Sequence, residues 1–464
     1  MRNAIVWLLL SPILVAAQEA PLRVGLAQVD ITPALGKKPV YIAGYGKNRQ
    51  ATKVHDPLMA RALLLAHGDR KLAMVSIDLV GLFHDCVERI RPRLPSISYL
   101  LVTSTHNHEG PDTIGMWGPH LFKTGVDPEY MTQVEDAIVK VVGDAEKNLR
   151  EVAEARIGSA RDGDLLNDSR LPIVKHDELV ALRFLDADKK TIGLAVQWNC
   201  HPEALGSQNT EISADFVADT VAWLEKKHRC PVVYLTGTVG GLMAPPRLKI
   251  PGEEGEGKRI GIFERTAHYG VMVGKLADKA LDGAKPVRLT PFKIQRREIH
   301  LPIDNPAYML GFRLGVLKRN AYQWMGTIDK AGPPPNEKDK KPARLCCKTE
   351  IARLRLGDLD IAAIPGEIYP ELVLSKVQDP PDPGADFPDA PIEPGIYDQL
   401  TARHKMIIGL ANDEIGYIIP KRQWDEKAPF CYGLKQSQYG EINSLGPETG
   451  PLLCAAFKRM CAEK

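Results

Sequence analysis

Cysteine is scarce in this chain, with eight in 464 residues. That is too sparse for a disulfide scaffold, in which small domains are stapled by closely spaced bridges. Pairing does not follow from spacing. Cys346 and Cys347 are adjacent and would strain if bridged to each other, and Cys200, inside a strand-like run, is expected as a buried free thiol. Neither sign of charge dominates. The formal net charge is +2 and no dense Lys/Arg block occurs, which argues against the concentrated basic face that a nucleic-acid partner requires. Long apolar runs are missing too: residues 4–15 fall well short of the ~20 needed to span a bilayer, and no later stretch is apolar enough. No internal repeat is visible. The Gly-rich turn Gly237-Thr238-Val239-Gly240-Gly241 lacks both a phosphate-loop lysine and the dinucleotide spacing, so nucleotide binding carries little weight.

What is present begins with a leader. Arg2, the apolar residues 4–15 and Val15-Ala16-Ala17 before Gln18 have the order of a signal peptide over residues 1–17. No cysteine follows to carry a lipid. The mature chain, 18–464, is therefore expected to be soluble and exported, periplasmic or secreted, and long enough for one to three domains.

Apolar periodicity supplies the elements. Strands are expected at 60–66, 71–77, 99–103, 178–184, 191–198, 231–235, 292–301 and 406–410, with a hairpin over 351–365. Helices are expected at 130–153, at 215–227 with Ser213 as N-cap, at 261–281 and at 307–317. Residues 332–341 have the composition of a surface loop. Residues 379–395, rich in Pro and Asp, have no periodicity and suit a lid or covering segment. Strands outnumber clear βαβ units and hairpins are frequent, so the fold class expected is α/β, with mixed β-sheets layered against helices.

Several strands end abruptly in polar residues. Residues 99–103 run into Ser104-Thr105-His106-Asn107-His108-Glu109-Gly110-Pro111. In extended chain, residues two apart share a face, which would point His106 and His108 the same way. Imidazole is the commonest protein ligand for zinc. Equally, an isolated His-x-His suits one exposed loop histidine beside another that bonds backbone. Asp78, ending 71–77, suits a structural cap. His201 follows 191–198, Glu367 follows the hairpin 351–365, and Tyr417 follows 406–410. Two histidines, a glutamate and an oxygen donor form a ligand set suited to zinc if the strand ends converge. Tyr417 is open to a second reading, a core tyrosine whose hydroxyl bonds backbone.

The stretches VGLAQVDITP, IAGYG, HDPLMARAL, VSIDLVGL, STHNHEGPD, NCHPEALG, IPGEIYPEL and ANDEIGYIIP resemble, in the same order, the catalytic domain of the neutral (non-lysosomal) ceramidases. They span most of the mature chain. The resemblance implies one catalytic domain over 18–464, a layered α/β fold, and zinc held by His106, His201, Glu367 and Tyr417. It further implies His108 beside the metal, shuttling a proton, and Arg170 of NDSRLP facing the substrate to stabilise oxyanion charge. The implied reaction is hydrolysis of an amide (N-acyl) bond in a small-molecule or lipid-like substrate. A zinc hydrolase for an ester or a sugar N-acyl group, and a non-catalytic exported zinc- or lipid-binding relative, stay open beside it. Two departures stand out. By the resemblance, Gly240 is expected where the family carries an active-site serine, and the family's C-terminal immunoglobulin-like domain is expected to be missing. Residues 237–241 are accordingly expected to form a bare, flexible turn, and ceramide is expected to be a poor substrate. Leu242, Met243 and residues 379–395 are expected to shape the pocket mouth.

Overall fold

Three times over, the chain builds the same unit: three antiparallel strands, a crossover helix, a fourth strand parallel to the third, and a closing helix. The computed structural model describes residues 20–241, 243–248, 261–335 and 344–463. The expected leader, Leu242 and residues 336–341 of the expected surface loop lie outside them. In the first unit the strands are Arg23–Asp30, Met59–His67, Arg70–Ile77 and Tyr99–Ser104, with helices His84–Ile90 and Pro128–Lys147. The second has strands Glu154–Arg161, Glu178–Leu185, Thr191–Trp198 and Val232–Thr236, with helices Phe216–His228 and Ile262–Asp282. The third has strands Phe292–Ile303, Leu345–Leu356, Leu359–Ala363 and His404–Ile408, with helices Pro370–Leu374 and Thr449–Ala462. In each unit the last pair alone is parallel, and it is the pair that needs a long crossover. The α/β class with mixed sheets is thus observed, and a threefold topological repeat lies beneath a sequence that displays none.

Each sheet is covered on both faces, so its strands read as continuous apolar runs rather than alternating ones. Leu63 and Leu65 point inward, to a central core shared with Phe184 and Leu182 of the second sheet and Leu354 and Ile361 of the third. Leu64, between them, points outward onto Val134, Ile138 and Val141 of the helix Pro128–Lys147. The second sheet is backed by Val217, Val221 and Val273, and the third by Leu453 and Phe457.

Several boundaries differ from expectation for local reasons. The helix expected over 130–153 is Pro128–Lys147: Asp127 accepts from the Glu129 N–H at 3.0 Å, and Arg150–Glu151 leaves to pair with Arg23–Val24. Asp215, not Ser213, caps Phe216–His228, taking the Phe216 N–H at 2.7 Å. Ser213 serves that cap instead, its hydroxyl oxygen accepting from the Asp215 N–H at 3.0 Å. The helix expected over 307–317 spans Pro306–Arg313. All eight cysteines are free thiols and Cys200 is buried. Asp78 is structural, bonded to Arg61 at 2.7 Å.

The three units meet at the C-terminal ends of their parallel strands. The Thr103 hydroxyl donates to the Gly409 carbonyl at 2.8 Å, and the Gly409 N–H donates to the Thr236 carbonyl at 3.0 Å. One strand end from each sheet is thereby stitched to the others. Open α/β sheets bind ligands at this end of their strands.

Candidate metal centre

The residues emitted from these strand ends face one another. His106 and His108 leave the first sheet, His201 the second, and Glu367 and Tyr417 the third. The two histidines of the His-x-His converge by a different route from strand alternation. The strand stops at Ser104, and His106 adopts left-handed backbone with φ of 67°, an uncommon and strained state for a residue with a Cβ. That turn brings its ring centroid to 5.0 Å from His108 and 4.8 Å from His201.

Both inward-facing imidazoles are oriented by backbone. His106 Nδ1 lies 2.7 Å from the Val80 carbonyl oxygen, and His201 Nδ1 lies 3.0 Å from that of Met243. A carbonyl only accepts, so each Nδ1 carries the proton and each Nε2 presents its lone pair when the ring is neutral. Both Nε2 atoms then face the same carboxylate oxygen, Glu367 Oε2, at 3.2 Å and 2.9 Å. Two lone pairs and an anionic oxygen, all buried, require a positive charge among them. Either the rings protonate or a cation takes the site, and ring orientation by backbone carbonyls is the pattern seen behind metal-ligating histidines. Burial works against the charged form of His106, but the Glu367 charge and hydrogen bond outweigh it and raise its pKa to about 9. Burial would likewise push Glu367 up, and the two histidines hold it below the usual carboxylate range.

Tyr417 is placed by a two-residue parallel ladder in which Glu367 is directly opposite it. It is buried beside Tyr369 and Tyr439, with ring centroids 5.9 Å and 6.0 Å away. The ligand nitrogens of His106, His108 and His201 lie within 4.8 Å of one another. His108 is held between Tyr45, edge-on at 5.1 Å, and Glu203, whose Oε2 is 3.5 Å from its Nδ1. Burial, then the neighbouring His106 and His201, push its pKa well down, keeping the ring neutral. Gly44 makes room for it: a Cβ there would stand 2.4 Å from the His108 ring.

A cavity of about 240 Å³ opens onto this cluster. His106, His108, Glu367, Glu414 and Tyr417 line one end; Phe83, Ile114, Trp117, Phe312 and Leu317 form an apolar wall. Glu203 and Glu414 carry no signal of their own in the sequence, although both lie in stretches that bear the family resemblance, NCHPEALG and ANDEIGYIIP. Burial, then the Glu367 charge, push Glu414 well above the usual carboxylate range. The wall residues on Pro306–Arg313 carried no signal beyond helical periodicity.

Three expectations are corrected. Arg170 does not line the cavity. Its guanidinium is buried and forked onto Glu441, at 2.6 Å and 2.8 Å, and also donates to the carbonyls of Tyr439 and Gln423, so it braces the wall from behind. The turn at 237–241 is buried rather than bare: the Gly240 N–H donates to the Ile368 carbonyl at 3.0 Å, and a Cβ there would stand 2.5 Å from that carbonyl and from the Tyr369 ring. Finally, residues 379–395 do not reach the mouth. They pack on the Lys421–Gln423 turn and Trp424, with Asp386 N–H to the Trp424 carbonyl at 2.9 Å and Arg422 Nε to the Ala390 carbonyl at 3.0 Å. Met243 is buried in the core behind the second sheet.

No protein-family model matches the chain. Among solved structures, the neutral ceramidase from Pseudomonas aeruginosa is similar in fold, with a TM-score of 0.69 at 18% identity, over 96% of this chain and 74% of that one. A ceramidase complexed with C2 matches equally, with a TM-score of 0.69 and 18% identity, over 95% and 75%.

Proposed function

We propose that this chain is an exported, zinc-dependent hydrolase of the neutral ceramidase-like family, cleaving an amide (N-acyl) bond in a small-molecule or lipid-like substrate. One observation carries the reading. Histidines from two different sheets turn their Nε2 lone pairs onto one carboxylate oxygen from the third, at 3.2 Å and 2.9 Å, at the floor of a half-apolar cavity. The fold shared with two ceramidase structures supports the same conclusion. His106, His201 and Glu367 supply the nitrogen and oxygen donors zinc takes, and Tyr417, opposite Glu367, is the fourth. When bound, the zinc supplies the Lewis acidity that makes water a nucleophile at neutral pH.

The chain's own groups do the rest. Val80 and Met243 hold His106 and His201 in one tautomer through their carbonyls. His108, with Nδ1 turned to Glu203, presents its Nε2 lone pair to take the proton that the attacking water gives up and then returns that proton to the leaving amine. The apolar wall receives the acyl chain and excludes water. Arg170 is a positioning residue in this reading, since its guanidinium is spent on Glu441 and two carbonyls. Residues 18–464 act as one catalytic domain, and residues 1–17 direct export. Among the described residues no helix is long and apolar enough to cross a membrane.

The test is metal content. Protein purified without chelator should hold about one zinc per chain by elemental analysis, and His106→Ala and His201→Ala should each lose it. His120→Ala and His404→Ala should not. Wild-type protein with zinc far below stoichiometry and no other metal in its place would refute the site.

A further inference from the structure

The apolar side chains this fold leaves in solvent are not scattered. Of thirteen large apolar side chains exposed among the described residues, six sit on three of the segments that line the cavity: Leu121, Phe122, Leu310, Leu314, Tyr439 and Ile442. Phe122 and Ile442 are 64% and 63% exposed. Singly placed exposed apolar residues need no explanation, whereas a cluster at a pocket mouth marks an interaction surface.

The three segments form one continuous rim. The Lys318 N–H donates to the Ile114 carbonyl at 3.3 Å, joining the loop of Leu121 and Phe122 to the end of the Pro306–Arg313 helix. The Asn305 amide donates to the Ile442 carbonyl at 2.8 Å, joining that helix to the third segment. The unpaired charges on and beside this rim have one sign, since Glu441 of the third segment is buried and paired with Arg170. Lys123, Arg313 and Lys318 belong to the rim and Lys47 lines the same cavity, and none of them makes an ion pair among the described residues. Residues 114–126 and 306–320 contain no Asp or Glu at all. In a chain whose charges nearly balance, with 60 basic and 58 acidic residues, this is a local excess.

We propose that this rim docks the protein on an anionic lipid surface, with Leu121, Phe122 and Ile442 entering the headgroup boundary and the four cations meeting lipid phosphates. Apolar tips beside unpaired Lys and Arg are the combination that holds a protein at such an interface. Tyr439 and Trp117, amphipathic rings at the same edge, suit the boundary layer. The docked face places the cavity mouth against the lipid, so a lipid-like substrate can enter without crossing water. Docking does not depend on the metal or on hydrolysis, and so is tested separately from them.

Vesicle co-sedimentation of the full chain decides it. Wild type should bind phosphatidylcholine vesicles containing phosphatidylglycerol, bind pure phosphatidylcholine far less, and lose binding as salt rises. Leu121→Asp/Phe122→Asp should reduce the partition coefficient by roughly tenfold or more, the effect expected for withdrawing two apolar side chains. Lys123→Glu/Arg313→Glu should reduce it by about fivefold per charge removed, or more. Thermal unfolding confirms that each variant is folded, and the second keeps the test decisive if the first is not. His106→Ala should bind vesicles as wild type does. The proposal is overturned if wild type ignores anionic vesicles, if it binds neutral ones equally, or if both rim variants bind within twofold of wild type. A wild-type chain that instead self-associates through this face and leaves vesicles in the supernatant overturns it as well.

Discussion

Placing at Gly240 the serine that the resemblance would put there, by Gly240→Ser, should damage this protein rather than improve it. An ideal Cβ at Gly240 stands 2.5 Å from the Ile368 carbonyl carbon, 2.5 Å from its oxygen and 2.5 Å from Tyr369 Cδ1. Ordinary carbon contacts lie near ~3.5–4.0 Å, so about 1 Å must be found. Two of the three obstructing atoms are backbone and have no rotamer to change. Overpacking of this kind costs typically ~1–3 kcal/mol. The Gly240 N–H bond to that same carbonyl would stretch or break, adding about 1 kcal/mol. The expected loss is therefore about 2–4 kcal/mol, read as a lower urea midpoint at unchanged slope. Ile368 follows Glu367 in the ladder opposite Tyr417, so zinc affinity should fall too. Gly240→Ala adds the same Cβ without the hydroxyl and should show nearly the same loss, which separates sterics from chemistry. A serine variant as stable as wild type, or one that gains ceramide turnover, would refute the reasoning.

Other expectations follow from the same geometry. Arg170→Ala leaves Glu441 buried without its partner and should cost about 3–5 kcal/mol in denaturant unfolding; unchanged stability with lost turnover would return Arg170 to the substrate. Glu350 is buried, which opposes its charge, but bonds to Arg91, Tyr99 and Arg296 outweigh burial and lower its pKa to about 2. Because the folded value lies below the unfolded one, its contribution is complete above about pH 4.5 and is lost as pH falls toward 2. Unfolding followed from pH 6 to pH 2.5 should show that loss in wild type and not in Glu350→Gln. Tyr417→Phe should keep the fold and weaken zinc binding in a competition titration; unchanged affinity and turnover would make Tyr417 a core residue. Assayed beside N-acyl amino acids, N-acyl sugars and simple esters, fluorescent long-chain ceramide should be the poorer substrate, with kcat/KM below ~10⁴ M⁻¹s⁻¹.

Much of the centre was legible because chemistry-bearing residues sit where apolar runs break off. His106, His108, His201, Glu367 and Tyr417 each follow a strand that the sequence announces, and the structure brings all five to one place. Arg170 was misread because an Arg before Leu-Pro has the same appearance whether it faces a substrate or a buried carboxylate. Its partner, Glu441, is 271 positions away, beyond any local pattern. The Gly237–Gly241 turn was misread for a related reason: a Gly-rich segment signals either freedom or crowding, and here Ile368 and Tyr369 provide the crowding.

What the sequence by itself determined is the local layer: where strands run, which ends are polar, and which side chains there can bind a cation. Periodicity and side-chain chemistry act over a few residues, so one chain read alone suffices. The tertiary structure decided the rest. The threefold repeat of the unit is carried by hydrogen-bond pairing between successive strands, which many apolar sequences satisfy equally well, so no repeat survives in the letters. Convergence of the three strand ends depends on contacts such as Thr103 to Gly409 and Gly409 to Thr236, each spanning well over a hundred residues. The left-handed turn at His106 is an uncommon backbone state that only the packed surroundings can hold, and it aims the first imidazole at Glu367.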